Sequence, residues 1–183
     1  MIDFKKLKRY FPEDQLEWRI QQVGYTEDLK TKEIKPWAKV LCYVQARAIE
    51  NRLDEVVGVE NWKTEFRADG SNIICRLSIW DKDKQEWIYK ENGASETKIE
   101  AFKGGISDAL KRCASHGWGI GRYLYELDIT FAECSFERPA NKKEWEKTSL
   151  DVKGKKETLY WKIPKMIDKF IPMPTNEELE GNI

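Results

Sequence analysis

The residues best suited to chemistry are cations and hydroxyls repeated along one segment, IEAFKGGISDALKRCASHGWGIGRYLY, which spans residues 99–125. Lys103, Ser107 and Lys111 recur every four residues, so a helix stacks them in one solvent-facing row with Arg112 beside it. Cations and hydroxyls on a rigid helix suit the phosphate backbone of a nucleic acid. The spacing therefore predicts a nucleic-acid-binding helix.

The rest of this helix must hold that row in place. Apolar residues recur at three- and four-residue steps and predict one buried stripe, formed by Ile99, Phe102, Ile106, Ala109, Leu110 and Cys113. Thr97 and Glu100 form a capping box at its start, and Gly117 marks its end. Gly104 and Gly105 each cost a helix about 1 kcal/mol relative to alanine, which indicates that another backbone or a ligand approaches closely there.

Aromatic residues accompany the cations after the helix. The chain has eight tryptophans and seven tyrosines, and proteins bind single-stranded nucleic acid with aromatic rings interleaved with cations. The rings near the basic row are Trp118, Tyr123 and Tyr125, and those expected in the core are Trp62, Trp80 and Trp87. The competing interpretation is a solvated surface helix, in which Asp108 pairs with Arg112 four residues later.

Composition bounds the size and charge of the protein. Its 183 residues are enough for one ordinary domain with a buried core. With 32 basic and 32 acidic residues the net charge is zero, so a nucleic acid must bind a local patch. Residues 99–125 carry four basic and two acidic residues, a net charge of +2. We also expect a soluble chain with no signal peptide and no membrane span, because no apolar run is long enough to cross a bilayer.

No catalytic, cofactor or metal site is predicted, so the chain is expected to bind rather than to act as an enzyme. His116 is the only histidine, which leaves no second ring for a metal site. The glycines near Trp118 lack the GxxxxGK pattern of phosphate-binding loops, and the acidic residues form no two-metal nuclease cluster. The cysteines are expected to be reduced, buried thiols, because they show no CxxC spacing: Cys42, Cys75, Cys113 and Cys134.

Hydrophobic patterns predict an α+β fold. A first helix runs from Pro36 to Gly58 and carries Arg47 on its polar side. An antiparallel three-stranded meander follows, and the long amphipathic helix that begins near residue 99 packs across its apolar face. The predicted strands of the meander are 62–67, 73–79 and 86–91, and extra C-terminal strands are expected at 127–131 and 159–163.

The same patterns divide the chain into five segments. They are an N-terminal arm and short element at 1–35, a core binding domain at 36–136, a charged surface excursion at 137–156, a C-terminal strand and proline-rich segment at 157–174, and an acidic tail at 175–183. The first ten residues are expected to be a basic arm or a frayed terminus. The excursion is expected to be a long loop or disordered, because Lys and Glu dominate it.

Several stretches resemble one known family. KGGISDALKRCASHGWGIGRYLY is similar to the hallmark of the Sak-type single-strand annealing proteins of phages, distant relatives of the eukaryotic Rad fifty-two recombination protein. FPEDQLEWRIQQ, WAKVLCYVQARAIENRLDEVVGVENWKTEF and YWKIPKMIDKFIP also resemble that family, so the likeness covers most of the chain. The resemblance implies a meander packed on the long helix, with protomers joined into a ring or filament.

The resemblance also implies a function: ATP-independent binding of single-stranded DNA and annealing of complementary strands in phage or prophage recombination and repair. A Lys-Arg pair that contacts DNA in the eukaryotic relative corresponds to Lys111 and Arg112, and an arginine of its first helix falls one position from Arg47. The candidate DNA-binding residues are Lys103, Lys111, Arg112, Arg47, Ser107 and Arg122. Implied partners are single-stranded DNA, further copies of the chain, and a phage exonuclease or host single-strand-binding protein in the bacterial cytoplasm.

Three alternatives stay open. A double-stranded RNA module shares the order helix, three strands, helix and predicts a preference for A-form duplex, although the second helix lacks a lysine cluster at its start. A metal-dependent nuclease predicts magnesium-dependent loss of DNA. A purely structural oligomer predicts assemblies without DNA affinity.

Overall fold

The computed structural model describes residues 2–95 and 101–167 and shows an α+β protein built on antiparallel sheets. Its helices and strands are α1 (Phe4–Leu7), β1 (Leu16–Glu27), β2 (Ile34–Val44), α2 (Ala46–Val57), β3 (Trp62–Asp69), β4 (Asn72–Asp81), β5 (Glu86–Ser95), α3 (Ala101–Arg112), β6 (Thr130–Ala132), β7 (Cys134–Ser135), β8 (Trp145–Val152) and β9 (Lys155–Lys162). No helix among the described residues is long and apolar enough to span a membrane.

The described chain divides into two compact units that interleave in sequence. The first unit contains residues 2–16, 44–95 and 101–126. The second unit contains residues 17–43 and 127–167. Each unit has its own sheet or sheets.

The first unit is built on the predicted meander. β3, β4 and β5 pair as antiparallel neighbours in that order, and Gly70 at φ 59° makes the turn after Asp69. One face of β4 is fully buried, through Ile73, Cys75, Leu77 and Ile79. Because α3 packs against β4 and β5, the predicted packing of the helix on the apolar face of the sheet is confirmed.

The predicted apolar stripe of α3 is confirmed where its side chains are described. Ala109, Leu110 and Cys113 are buried and Ile106 is half-buried. A Cβ at Gly105 would lie 2.9 Å from Cγ1 of Ile73, so the close neighbour at Gly105 is a side chain of the sheet rather than the backbone or ligand predicted from the paired glycines. The rest of the prediction, namely Ile99, the Phe102 side chain and the capping box of Thr97 and Glu100, lies outside the described residues.

The helix predicted from Pro36 is wrong over its first part. Residues 34–44 form β2, because burial alternates with a period of two through Ala38, Val40, Cys42 and Val44. The helix α2 begins only at Ala46 and is followed by Gly58 at φ 91°. Pro36 precedes the part of β2 that pairs with β6, from Ala38 to Val40, so its missing N–H breaks no bond to that neighbour.

The N-terminal segment is packed, which corrects the expectation of a flexible or frayed arm. The Asp3 side chain caps α1, and Leu7 is fully buried. Arg52 of α2 donates to the carbonyl of Arg9 at 2.7 Å, and its guanidinium lies 4.1 Å from the centroid of the Phe11 ring. Burial, together with the neighbouring Arg9 charge, lowers the pKa of Arg52 from its usual value. Arg52 therefore holds the N-terminal segment on α2.

The expectation that three tryptophans lie in the core is wrong. Trp62 and Trp80 are half-buried, and Trp87 is 38% exposed. The Trp80 and Trp87 rings lie 5.5 Å apart between centroids, and Nζ of Lys63 lies 4.9 Å from the Trp87 centroid. These two rings stand opposite each other on one face of the β4–β5 pair, so they pack on each other at the surface.

The second unit contains two antiparallel sheets, of strand order β1-β2-β6 and β7-β9-β8. They share a buried core of Ala38, Val40, Ala132, Leu150, Leu159 and Trp161. The short element predicted within residues 1–35 is a 3-10 turn at Glu13–Gln15 followed by β1, which continues to Glu27. Of the predicted C-terminal strands, the first is limited to β6 and the second is confirmed as β9.

The excursion predicted at 137–156 is wrong, because most of it is ordered secondary structure. A 3-10 turn at Lys142–Glu144 leads into β8, which pairs along its length with β9. Leu150 of this segment is buried in the core of the second unit. Lys153 and Gly154, at φ 54° and 83°, make the two-residue turn that joins the strands. One inward residue in every two is enough to fix this hairpin on the core.

Candidate nucleic-acid interface

The C-terminal end of α3 brings several cations together. After α3 the chain makes a π-helical turn, Cys113–Trp118, which ends at Gly119 with φ 80°, two residues beyond the predicted stop at Gly117. The indole N–H of Trp118 donates to the carbonyl of Leu77 at 3.2 Å, and the ring is buried. This turn is therefore fixed to β4. Such π-helical turns occur frequently at functional sites.

Two glycines of the turn let lysines from distant segments pack against it. A Cβ at Gly117 would lie 2.5 Å from Cβ of Lys90 in β5, and a Cβ at Gly119 would lie 2.8 Å from Cε of Lys8. The two lysine stems therefore occupy the space that side chains would fill. Both lysines are exposed, and neither forms an ion pair with any residue that the structure describes. Nothing in the linear spacing indicated either residue.

Arg122 closes the turn. Its Nε donates to the carbonyl of Ser115 at 2.8 Å, and its Nη2 donates to the carbonyl of His116. A guanidinium is suited to these last carbonyls, which are otherwise unpaired at a helix end and carry partial negative charge. Because a guanidinium has five N–H donors, three of them remain for a ligand. The exposed Tyr125 ring lies edge-on to the His116 ring, at 5.3 Å between centroids.

Lys111 and Arg112 are the last two residues of α3, and their side chains differ in exposure to solvent. The Lys111 side chain is 12% exposed, and its Nζ lies 3.9 Å from Oδ1 of Asp108. The predicted alternative pairing of Asp108 with Arg112 is therefore wrong. Arg112 is exposed and forms no ion pair with a described residue. It lines a cleft of about 260 Å³ with residues of β4 and β5, among them Asn72 and Ser95.

We call this cluster the basic rim, which consists of Lys8, Lys90, Lys111, Arg112 and Arg122. Its members come from the end of α1, from β5, from α3 and from the turn after α3, and all lie at or next to the π-helical turn. The five cations, less the carboxylate of Asp108 beside Lys111, leave a local charge of +4 on a turn fixed to a sheet, and such a surface attracts phosphate groups.

The remaining candidate residues lie elsewhere on the first unit. Ser107 is half-buried one turn before Lys111, and Lys103 belongs to α3 but its side chain lies outside the described residues. Arg47 is exposed in the first turn of α2. Ser115, in the turn after α3, is buried and donates its hydroxyl to the carbonyl of Arg112 at 3.3 Å. DNA contacts by all six candidate residues stay predictions.

Cysteines and acidic residues form no metal site in the described part of the chain. The four cysteines are free, as expected, and three of them are buried while Cys134 is half-buried. The Cys75 thiol donates a hydrogen bond to the sulfur of Cys113, and this bond together with burial raises the pKa of Cys75 far above its usual value. Cys113 donates to the carbonyl of Lys90 at 3.1 Å, so this pair of thiols links α3 to the sheet.

The first unit is an α+β domain in which a helix covers a three-stranded meander. The end of that helix carries a cluster of cations, which forms a surface suited to binding anions. The chain belongs to the Rad52/22 family of double-strand break repair proteins, because the family model matches residues 4–143. The matched range includes the meander, α3 and every residue of the basic rim. Membership in this family confirms the distant relationship to the Rad52 protein, while the assignment to the Sak-type group stays a prediction.

Two curated relatives carry the name single-stranded DNA-binding protein DdrA. The protein from Deinococcus radiodurans is 31% identical over 133 residues, which cover 70% of this chain and 57% of that protein. The protein from Deinococcus deserti is 31% identical over 127 residues, which cover 67% of this chain and 56% of that protein. This chain therefore aligns with little more than half the length of these relatives. No solved structure matched the chain.

Proposed function

We propose that this protein binds single-stranded DNA and promotes the annealing of complementary strands in DNA recombination and repair. The observation that carries the proposal is the basic rim, which lies within the range matched by the Rad52/22 family. The names of the two DdrA relatives support single-stranded DNA as the ligand. We further propose that annealing requires no ATP and serves phage or prophage recombination in a bacterial cytoplasm.

The rim suits a phosphate backbone more than it suits the edges of bases. Lysine ammonium groups and exposed guanidinium groups neutralise phosphates and release counterions, which gives affinity that falls as salt is added. Such contacts fix the position of a strand without reading its sequence. Bases that are not held by the protein stay available to a second strand, so a protein of this kind brings complementary strands together without an energy source.

Several copies of the chain would strengthen this activity. We propose a ring or filament of protomers, in which neighbouring rims bind consecutive stretches of one strand and raise the effective concentration of each contact. A phage exonuclease or a host single-strand-binding protein is the proposed partner that supplies or covers the strand. The core binding domain proposed at residues 36–136 contains four of the five rim residues, and Lys8 adds one from outside it.

Binding of a fluorescent oligothymidine by fluorescence anisotropy tests the proposal. We expect Lys111→Ala combined with Arg112→Ala to weaken binding at least about 100-fold, because each charge-assisted contact contributes roughly 1.5–3 kcal/mol. The matched control is Lys82→Ala combined with Lys84→Ala, which removes two exposed lysines from the turn between β4 and β5. Wild-type affinity in the first variant, with an unchanged circular dichroism spectrum, would refute the assignment of the site.

The alternatives predict different results in the same experiment. A double-stranded RNA module would prefer an A-form RNA duplex over oligothymidine as competitor. A metal-dependent nuclease would shorten the labelled strand when magnesium is added. A purely structural oligomer would leave the anisotropy unchanged.

A further inference from the structure

A cleft of about 540 Å³ lies in the second unit beside the β8–β9 hairpin. The side chains that give it its chemistry are Arg138, Lys142, Trp145, Glu146, Lys147 and Tyr160. The volume falls within the usual range for small-molecule sites. The family model ends at residue 143, so most of this cleft lies outside the part of the chain that defines the family.

The hairpin sorts its side chains between the core and this cleft. Lys147 stands directly opposite Tyr160, and Trp145 lies two residues before Lys147 on the same strand, so the three share one face. The opposite face carries Leu150 and Leu159, which are buried in the core of the unit. Trp145 and Tyr160 are only half-buried, although large aromatic rings of a hairpin gain more by complete burial. Two rings thus remain accessible in the cleft.

The cations of the cleft are not neutralised by the protein. Arg138, Lys142 and Lys147 are exposed, and none forms an ion pair with any residue that the structure describes. Glu146 is the one acidic side chain among the lining residues described, which leaves a local charge of +2. The outer face of the meander behaves differently, because its arginines are paired there with Glu91 at 2.9 and 3.3 Å. The cleft therefore keeps its positive charge for a ligand.

Accessible rings next to unpaired cations fit the two parts of a nucleotide. A base stacks on an aromatic ring whatever its identity, and the adjoining phosphate is attracted by lysine and arginine. We propose that this cleft binds one nucleotide of single-stranded DNA, with the base against Trp145 and Tyr160 and the phosphate near Arg138, Lys142 and Lys147. The nature of the strand rests on the function proposed above, whereas the site itself is separate from the basic rim.

The test compares oligothymidine with an abasic strand of equal length and equal charge, using the full chain and fluorescence anisotropy. We expect the wild-type protein to prefer oligothymidine, and Trp145→Leu to weaken oligothymidine binding about fivefold or more while leaving the abasic strand unaffected. Trp145→Phe keeps a ring and should restore most of the affinity. Equal binding of both strands by the wild type, or equal loss for both strands in Trp145→Leu, would overturn the proposal.

Two further measurements guard against a variant that fails to fold. Photocrosslinking of the wild-type protein to oligomers that contain iododeoxyuridine should label the peptide that carries Trp145, and labelling confined to other peptides would contradict the proposal. Lys142→Gln with Lys147→Gln should weaken the binding of both strands. Lys156 is an exposed lysine of the same hairpin, and Lys156→Gln should weaken the binding of neither strand. Absence of any strand binding by the wild type refutes both proposals, whereas strong binding that is insensitive to all cleft variants refutes only this one.

Discussion

The two lysines that pack on the glycines of the π-helical turn provide a quantitative test of the basic rim. Replacing Lys8 and Lys90 by glutamine keeps the stems that contact Gly119 and Gly117 and removes only the charges. Each phosphate that is neutralised on a single strand contributes about 0.7 to the slope of log affinity against log salt concentration. The five rim cations predict a slope of about −3.5, and the double variant predicts about −2.1.

These slopes translate into a large difference in salt sensitivity. Between about 50 mM and about 200 mM salt the wild-type affinity should fall about 100-fold, and that of the Lys8→Gln/Lys90→Gln variant about 20-fold. The assay is a salt titration of oligothymidine binding followed by anisotropy. The control variant, Lys82→Gln with Lys84→Gln, has the same change in net charge and should keep the wild-type slope. An identical slope in all three proteins would show that the two rim lysines contact no phosphate.

Two substitutions test how the fold positions the rim. Arg52→Met should lower the free energy of unfolding by about 3 kcal/mol, because carbonyls of the N-terminal segment lose their buried donor. Arg47→Met on the same helix is the control and should change the free energy of unfolding by less than about 0.5 kcal/mol. Urea unfolding followed by circular dichroism measures both variants, and equal effects would contradict the anchoring role of Arg52. Gly117→Ala places a Cβ 2.5 Å from Cβ of Lys90 and should cost about 1–3 kcal/mol in the same assay; an unchanged midpoint would show that the end of α3 is free to move away from β5.

The meander and α3 were predictable because their patterns are unambiguous. Ile73, Cys75, Leu77 and Ile79 alternate along β4, and a helical stripe follows that can cover only one face of a sheet. The secondary structure of the segment after Pro36 was harder to predict, because its apolar residues fit helical spacing and strand alternation at the same time. Burial on alternate residues decides for a strand, and only the pairing with β6 in the folded chain reveals it.

Three of the five residues of the basic rim, Lys111, Arg112 and Arg122, were among the residues proposed from the sequence, whereas Lys8 and Lys90 were not. Lys111 and Arg112 are adjacent in sequence, and a helical row was enough to find them. Lys8 and Lys90 come from segments far away in the chain, and they reach the π-helical turn because glycines there leave space for their stems. A pattern of local charge cannot show such a meeting.

The β8–β9 hairpin was missed because charge dominated the interpretation of residues 137–156. The signal that was present is the alternation of Thr148, Leu150 and Val152, followed by the turn residue Gly154. The hairpin carries many Lys and Glu residues, so its average composition is that of a loop, while the alternation of Thr148, Leu150 and Val152 still suits a strand. Periodicity was the better guide.

The rate at which complementary oligonucleotides pair, measured by fluorescence quenching without ATP, tests the central claim most directly. The account predicts that the wild-type protein accelerates pairing, that Lys111→Ala with Arg112→Ala abolishes the acceleration, and that the Lys82→Ala/Lys84→Ala control preserves it. Pairing no faster with the wild-type protein than without it, at low and at moderate salt, would contradict the claim that the basic rim holds a strand for annealing.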